Sequence, residues 1–297
     1  AKSTLSLDSN SIHGNSSHGI YINSSSTGGI QSQYAVSANT VYANNGAGIH
    51  CYSHDSELMV DIIGNAVYQS TEGIYCYNNR NYALYALIAD NEVHDNSSRG
   101  IFCHGYRGGL YPEVRNNRVY GNVGNGIQCS RDGYYKPAMA PVITLNTVNA
   151  NGGNGIYSNG SGAEITLNEV YANSGSQGIY CAASSPADVV YNDVHDNGGV
   201  GLYFAAGSGS HVNFNNLYNN TGVYEFENGN AASVDAGFNF WGAVVTQEMA
   251  AGVNPKNIGR IFDIYDDGSR GTVYYVPWQS AAVSLPAAWY STTPVGS

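Results

Sequence analysis

The sequence predicts an all-β solenoid of about nine coils, and two observations support that prediction. A pattern of the form Asn-x-Val-Tyr/His-x-Asn, followed by Gly-Ile-Tyr-Cys, recurs along most of the 297 residues, in copies that start 22 to 29 residues apart. Each copy holds short β-branched segments in which apolar and polar residues alternate, as they do in half-buried strands. One coil is too small to bury a face alone, so successive coils must stack.

Eight copies of the repeat are clear, and a degraded ninth copy is expected to begin at Asn216. The clear copies are NSIHGNSSHGIYI (10–22), NTVYANNGAGIHC (39–51), NAVYQSTEGIYC (65–76), NEVHDNSSRGIFC (91–103), NRVYGNVGNGIQC (117–129), NTVNANGGNGIYS (146–158), NEVYANSGSQGIYC (168–181) and NDVHDNGGVGLYF (192–204). Leucine-rich repeats have a similar period but need a Leu-x-x-Leu-x-Leu frame, and helical repeats would not tolerate this density of Gly and Asn. The pattern therefore predicts stacked strands.

In-register stacking places equivalent residues of neighbouring coils about 4.8 Å apart, so like residues form ladders. The repeat Val and Ile predict two inward apolar ladders, and the repeat Asn residues predict amide ladders at the turns. The five Cys residues all stand three positions after the repeat Gly and predict one inward column: Cys51, Cys76, Cys103, Cys129 and Cys181. Parallel Cβ vectors suit a disulfide poorly and no paired zinc-ligand spacing occurs, so buried free thiols are expected.

The amino-acid composition limits the kinds of partner that the protein can bind. The chain has 11 Lys+Arg against 22 Asp+Glu, a net charge of −11, which argues against a nucleic-acid partner because phosphate binding needs a basic face. No apolar run reaches the length of a membrane span. The pattern is already running by Asn10, so we expect Leu5, Leu7 and Ile12 to lie at an end covered by a short local segment or by a neighbouring molecule, with end-to-end or side-by-side self-association.

The repeat resembles the right-handed parallel β-helix superfamily, which includes pectate lyases, polygalacturonases, alginate epimerases and phage tailspikes. The resemblance covers residues 10 to about 222. It implies a right-handed parallel β-helix that is extracellular and handles a polysaccharide on its outer surface. The strings that carry catalysis in those enzymes, such as Asn-Thr-Asp or Asp-Pro-His, do not occur here. The fold hosts many chemistries, so the reaction has to be argued from a site.

The C-terminal part contains NFWG (239–242) and IFDIYDDGSRGTVYYVPW (261–278), which resemble the closing segment of secreted bacterial β-helix proteins. We therefore expect a parallel β-helix over 1–230, a capping segment over 231–280 and a tail or linker over 281–297. Large apolar residues suited to plugging the open end of the solenoid are Phe238, Phe240, Trp241 and Trp278.

Two candidate sites fall on the central coils. Outward aromatic residues after the Gly-Ile step predict a two-column platform for sugar rings, made of His50, Tyr52, Tyr75, Tyr77, Phe102 and His104. The alternative is that Tyr simply favours exposed strand positions and stacks on itself. The loops after these strands bring polar chemistry to one side of the solenoid: Arg80, His104, Tyr106, Arg107, Arg131, Asp132 and Lys136.

Those loops lie in a locally basic stretch. Residues 77–137 hold 7 of the 11 basic residues and 5 of the 22 acidic ones, a positive island where an anionic glycan would settle. A lyase needs a cation on the uronate carboxylate and a group that moves a proton. We therefore expect His104, Tyr106, Arg107, Arg131 and Asp132 to be catalytic, and the platform residues with Arg80 and Lys136 to bind substrate. A solvated loop cluster is the alternative.

Three further acidic groups stand out in the sequence. Glu169 and Asp193 hold the same outward slot in consecutive coils, with His195 and Asp196 beyond, which suits a retaining glycosidase or a metal. Glu92 below Arg118 predicts an exposed ion pair in that same column. Asp263, Asp266 and Asp267 could bind calcium, although Asp-Asp-Gly is ordinary turn chemistry and the turn is favoured.

Two classes of function stay open. The first is a polysaccharide lyase or glycoside hydrolase that works in a groove over the central coils. The second is a non-catalytic glycan-binding or adhesin-type surface protein. The sequence assigns no metal site, and calcium at the C-terminal aspartates is the one cofactor that it suggests.

Overall fold

Three parallel sheets run the length of the chain in a computed structural model that describes residues 4–24, 32–132, 138–160, 162–182, 187–205 and 209–286. Sheets A, B and C contain eleven, nine and ten strands. Each coil adds one strand to each sheet, and every pairing between coils is parallel. The predicted solenoid, with three strands per coil, is confirmed.

The strand bounds follow the repeat. Sheet A contains Thr4–Asp8, Ser32–Ser37, Leu58–Ile63, Leu84–Ala89, Leu110–Arg115, Val142–Thr144, Ala163–Thr166, Ala187–Val190, His211–Asn213, Val234–Asp235 and Val273–Tyr274. Sheet B contains Ser11–His13, Thr40–Tyr42, Ala66–Tyr68, Glu92–His94, Arg118–Tyr120, Thr147–Asn149, Glu169–Tyr171, Asp193–His195 and Asn216–Tyr218. Sheet C contains Ile20–Ser24, Ile49–Ser53, Ile74–Asn78, Ile101–Gly105, Ile127–Arg131, Ile156–Ser158, Gln177–Cys181, Val200–Phe204, Phe226–Asn228 and Ile261–Phe262.

The interior is built from the predicted ladders. Val41, Val67 and their successors pair in register along sheet B, and Ile49, Ile74 and theirs pair along sheet C. All five Cys are buried and free, and they stand in one column of sheet C that Ser158 interrupts. The predicted thiol ladder is therefore confirmed as core packing.

A two-residue corner joins each sheet A strand to the next sheet B strand, and it explains the first Asn of the repeat. The first corner residue takes a left-handed backbone conformation, as at Asp90 (φ 58°), which turns the chain sharply. The second is the ladder Asn. Asn91 donates its side-chain amide to Ile62 O (2.8 Å) and to Asn117 Oδ1 (3.0 Å), which also accepts the Asn91 backbone N–H. Buried corner amides are thereby satisfied from coil to coil.

The ladder corrects the phase of the ninth copy. Asn192 donates to Asn215 Oδ1 (3.0 Å), and Asn215 donates to Asn239 Oδ1 (3.1 Å), so the ladder residue is Asn215. Asn216, expected to lead the copy, instead begins a sheet B strand in register with Asp193.

The capping segment is less uniformly buried than expected. Trp241 is fully buried against Phe226, and Val245 and Met249 of helix α1 (Gly242–Ala250) are buried with it. Phe240 and Trp278 are only partly buried. Phe238 was wrongly expected inside: it is 42% exposed, because it is a left-handed corner residue that stacks on Phe214 outside the barrel (5.1 Å).

At the other end, the first coil is partly open among the described residues. Leu5 is 63% exposed, while Leu7 and Ile12 pack partly against the core. A cavity of about 140 Å³ lies there, lined by residues that include Leu7, Ile20 and Val36. Self-association through this end stays a prediction.

Candidate functional site

The outward side chains of sheet C form two columns, as the alternation predicted. In the first column Tyr75 stacks between His50 (ring centroids 4.7 Å apart) and Phe102 (4.9 Å). In the second column Tyr52 stacks on Tyr77 at 5.5 Å. The predicted residues are thus adjacent, in the predicted order.

The orientation of the first column differs from a flat platform. The Tyr75 ring lies 16° from the His50 plane and 4° from the Phe102 plane, so its two faces are covered by neighbours. Phe102 is only 5% exposed, because the Arg99 guanidinium lies 3.7 Å from its ring centroid. This column therefore presents ring edges rather than ring faces to the outside, and Phe102 presents almost no surface.

His50 is also drawn into the structure. Its Nδ1 lies 3.1 Å from Nε2 of His18, and its own Nε2 is buried without a hydrogen-bond partner. Burial, reinforced by the neighbouring His18, lowers the pKa of His50 to about 4. His50 is therefore neutral at physiological pH and cannot supply a cation to an anionic sugar.

The second column is more accessible and richer in chemistry. His104 meets the Tyr77 and Phe102 rings edge-on, each at 5.3 Å, and its Nε2 lies 3.6 Å from a carboxylate oxygen of Asp132. Burial lowers the pKa of His104, while Asp132 raises it and Arg99 lowers it. His104 is thus held as a neutral imidazole beside a carboxylate, which is the form a general base needs.

Tyr106 and Arg107 lie near Tyr77 of the second column, and Arg131 ends the neighbouring strand. Arg107 lies 5.4 Å from the Tyr106 ring centroid. Burial and the nearby hydroxyls of Tyr52 and Tyr106 raise the pKa of Tyr77, while Arg107 lowers it. Arg131 ends its strand in register with Gly105. We call Tyr77, His104, Tyr106, Arg107, Arg131 and Asp132 the central cluster.

The predicted binding residue Arg80 stands on a separate loop. Arg80 is exposed, and its Nε donates to His54 Nε2 (3.2 Å), whose Nδ1 lies 2.7 Å from Asp55. Lys136 lies outside the described residues.

The positive island is continuous in sequence but not in space. Arg115 lies on sheet A and pairs with Glu113 (3.0 Å), and Arg118 lies on sheet B and pairs with Glu92 (2.9 Å). Arg99 pairs with Glu72 at 2.8 Å. The expectation of one basic surface is corrected, because successive thirds of a coil face different directions. Arg80, Arg107 and Arg131 are the described basic residues of that stretch that follow sheet C strands.

The three other acidic groups are placed as follows. Glu169 and Asp193 occupy the same slot of neighbouring sheet B strands, and the Glu92–Arg118 ion pair is present, as predicted. The Asp263 carboxylate accepts the backbone N–H groups of Tyr265 (3.0 Å) and Val273 (2.9 Å). Asp267 accepts from Ser269 N (3.0 Å). These carboxylates are engaged in turns of their own chain.

Sequence reasoning missed a second outer surface, on coils six to eight. Tyr157, Tyr180 and Tyr203 continue the first column of sheet C beyond Gln128. On sheet A a shallow groove of about 360 Å³ is lined by Glu164, Thr166, Asp188, Val190, Tyr191, His211, Asn213 and Phe214. Alternating outward carboxylates in the sheet A strands were the available signal.

Comparisons with known proteins agree with this architecture. The family model described as the right handed beta helix region matches residues 31–185 and 112–255, which together cover more than half of the chain. No curated protein matches the chain. Among the described residues, no helix is long and apolar enough to cross a membrane.

Solved structures with similar coils share little sequence. The A-module of the Azotobacter vinelandii mannuronan C-5 epimerase AlgE4 is 13% identical with a TM-score of 0.52, covering 95% of this chain and 90% of that one. The A-module of AlgE6 from the same organism is 14% identical with a TM-score of 0.47, covering 96% and 92%. The Dettilon tailspike protein is 13% identical with a TM-score of 0.42, covering 93% and 62%.

Proposed function

We propose, from the premise that this chain belongs to the right-handed β-helix family, that it acts on an acidic polysaccharide at the central cluster. The observation that carries the proposal is His104, a neutral imidazole 3.6 Å from Asp132 and in contact with the Tyr77 ring, beside the Arg107 loop. A solved structure of this fold belongs to a mannuronan C-5 epimerase, which is in keeping with a polysaccharide as the substrate class.

The cluster contains the groups that β-elimination from a uronate requires. Arg107 or Arg131 would pair with the sugar carboxylate and so acidify the neighbouring carbon-bound proton. His104 Nε2 or the Tyr106 hydroxyl would take that proton as the carbon–oxygen bond of the glycosidic linkage breaks. Whichever of His104 and Tyr106 did not take the carbon-bound proton would protonate the departing oxygen. The product is an unsaturated uronate. Hydrolysis by the same cluster would also leave a new reducing end, but no unsaturated uronate.

Binding outside the reacting sugar falls to the rest of the second column. Asn79 donates to the Tyr52 hydroxyl (2.8 Å) and accepts from the Tyr77 hydroxyl (3.4 Å), which aligns both phenols along the solenoid axis. With Arg80 on the adjacent loop, this row offers polar contacts over two coils. Phe102 and His50, largely covered by Arg99 and His18, would support these side chains from beneath.

The test is a panel of acidic and neutral polysaccharides, read for unsaturated-uronate absorbance and for reducing ends. The double variant Arg107→Ala/Arg131→Ala should abolish turnover and weaken binding with the fold intact. The matched control is Arg115→Ala/Arg118→Ala, which removes the same charge from the other two faces and should keep at least half of the activity. Full activity in the first variant, or loss in the second alone, would move the site off sheet C.

A non-catalytic glycan-binding or adhesin protein is the second candidate, favoured by the self-covered first column of sheet C. Rings that stack on each other stiffen a stalk without catalysing anything. In that case His104→Asn would leave glycan affinity unchanged and the wild-type protein would release no product from any polysaccharide that it binds.

A further inference from the structure

Sheet B carries two copies of one motif, Asn-acid-Val-His-Asp-Asn, at residues 91–96 and 192–197. In both copies the His Nδ1 lies 2.8 Å from the carboxylate of the Asp that follows it: His94 with Asp95, and His195 with Asp196. Each imidazole is stacked between two phenol rings, Tyr68 and Tyr120 in the first copy, Tyr171 and Tyr218 in the second. The copies therefore act as matched sites within one chain.

The first copy has balanced charges. Glu92 accepts hydrogen bonds from Arg118 Nη1 (2.9 Å) and from the Tyr120 hydroxyl (2.8 Å). The Arg118 guanidinium also lies 4.3 Å from the Tyr120 ring centroid, where it closes the end of the ring stack. One guanidinium thus satisfies a carboxylate and an aromatic face together.

The second copy lacks that cation. Asn216 takes the register position of Arg118, and its side chain bonds the backbone of Val283 instead (2.7 and 3.2 Å). On the other side of Asp193 stands Glu169, where the first copy has Ala66. No Arg or Lys within the described ranges forms a salt bridge with either carboxylate.

Asp193 is therefore left incomplete. Its Oδ1 is buried and has no hydrogen-bond partner, although the Tyr218 hydroxyl bonds the same carboxylate. Burial is the main cause that raises the pKa of Asp193. Glu169 raises this pKa further, while His195 lowers it. A buried carboxylate oxygen without a donor is costly, and a bound cation would remove that cost.

We infer that Glu169 and Asp193 bind a guanidinium group of a partner polypeptide, which would neutralise them as Arg118 neutralises Glu92 in the first copy. Guanidinium is planar and can donate to two carboxylates on adjacent strands about 5 Å apart, which an ammonium point charge does less well. The Tyr218 hydroxyl bonds Asp193 as the Tyr120 hydroxyl bonds Glu92, and the Tyr218 ring also contacts Phe240 (ring centroids 6.1 Å apart).

The surroundings favour a basic polypeptide rather than a single small cation. Across the corner from Asp193 runs an apolar ridge, in which the Tyr191 and Phe214 rings stack at 5.0 Å. Beyond the ridge, Glu164 and Asp188 line the sheet A groove. Carboxylates on both sides of an apolar ridge suit a chain that carries several cations, and they repel the acidic glycan proposed for the central cluster.

The inference can be tested on the whole protein by following the ring protons of His195 and His94 by NMR while agmatine, a small guanidinium compound, is added. We expect a saturable shift at His195 and less than a fifth of it at His94. Asp193→Asn should weaken the binding of agmatine at least fivefold. Equal responses at both His residues, or an unchanged response in Asp193→Asn, would overturn the assignment.

Two further variants sharpen the test. Thr147→Arg places an arginine next to Glu169 in the register and leaves the Asn216–Val283 contact intact, so it should block agmatine. Arg118→Asn should make His94 responsive. If Thr147→Arg binds agmatine like the wild type, the site is not between these carboxylates.

Two more probes identify the source of the cation. A tetra-arginine peptide should bind at least tenfold more tightly than agmatine, and equal affinity would remove the polypeptide from the inference. Glucosamine should bind more weakly than agmatine. Equal or tighter binding of glucosamine would replace the guanidinium by a sugar ammonium.

Discussion

One interior position, three residues after the repeat glycine, shows which side chains the central coils select. Cys51, Cys76, Cys103 and Cys129 fill it in consecutive coils, and Ser158 fills it in the next. Each of these side chains is buried. In these central coils the position holds a small side chain, and sulfur fills it without needing a hydrogen-bond partner, whereas Ile22 and Phe204 fill it towards the two ends.

We therefore predict that a disulfide-exchange reagent labels none of the five thiols in the native protein and all five after denaturation. Burial raises the pKa of Cys181 to about 12, so its thiolate is scarce as well as inaccessible. Rapid labelling of any thiol in the native state would mean that the column is open to solvent.

Cys103→Ser should lower the free energy of unfolding by about 1–3 kcal/mol, because it buries a hydroxyl among sulfur and aliphatic neighbours. The matched exchange, Ser158→Cys, should leave stability within about 1 kcal/mol of wild type or raise it. Denaturant unfolding measures both, and the opposite order would contradict a purely packing role for the column.

His104 carries the pH prediction at this scale. Burial lowers its pKa below the usual 6.5, so the neutral form persists at a pH below 6.5 and the acid limb of kcat/KM should lie there. Asp132 raises this pKa, so Asp132→Asn should shift the limb to still lower pH. NMR titration of His104 gives the same quantity without turnover, and an upward shift in the variant would contradict the contact.

At the scale of elements, the asparagine ladders need an end as well as a repeat. A second asparagine ladder lies where the chain leaves the sheet B strands, and it runs through Asn197 to Asn220. The Asn220 side chain donates to the buried Glu225 carboxylate at 2.7 Å. Arg260 neutralises Glu225 at 2.6 Å and donates to Gly222 O at 2.7 Å. A charge pair from the capping segment thus closes the row of amides.

Arg260→Ala should therefore destabilise the protein by about 3–5 kcal/mol, because it leaves a buried carboxylate uncompensated. The double variant Arg260→Met/Glu225→Gln should recover much of that loss, since the amide can still accept from Asn220. Thermal and denaturant unfolding measure the difference. If the double variant is as unstable as the single one, the ladder end does not depend on charge.

The apolar and asparagine ladders could be predicted because both follow from stacking identical repeats, whatever the side-chain angles. The ring orientation could not, since Tyr75 takes its plane from His50 and Phe102 in other coils. The positive island was misjudged for a similar reason: Arg99, Arg115 and Arg118 are close in sequence, but the coil turns between them. The missing cation beside Asp193 emerges only when the register shows Asn216 where Arg118 stands.

At the scale of the whole molecule, each coil contacts only its neighbours, so stability should add up along the axis rather than belong to one centre. Hydrogen exchange should be slowest in central strands such as Ile101–Gly105 and fastest in the first coil, where Leu5 is exposed. In Arg260→Ala, protection should fall in the last coils alone. Uniform loss across all coils would show that the solenoid unfolds as one unit.

The corner between sheets A and B always has two residues, whereas the link from sheet C back to sheet A varies from four to ten. The link from sheet B to sheet C varies less, from four to seven, so the edge between sheets C and A absorbs most of the changes in length. Foreign peptides inserted at this edge would be displayed at intervals of about 4.8 Å along a rigid rod. The same insertions at the two-residue corner would break an amide ladder, so this molecule gains new loops most readily along one side.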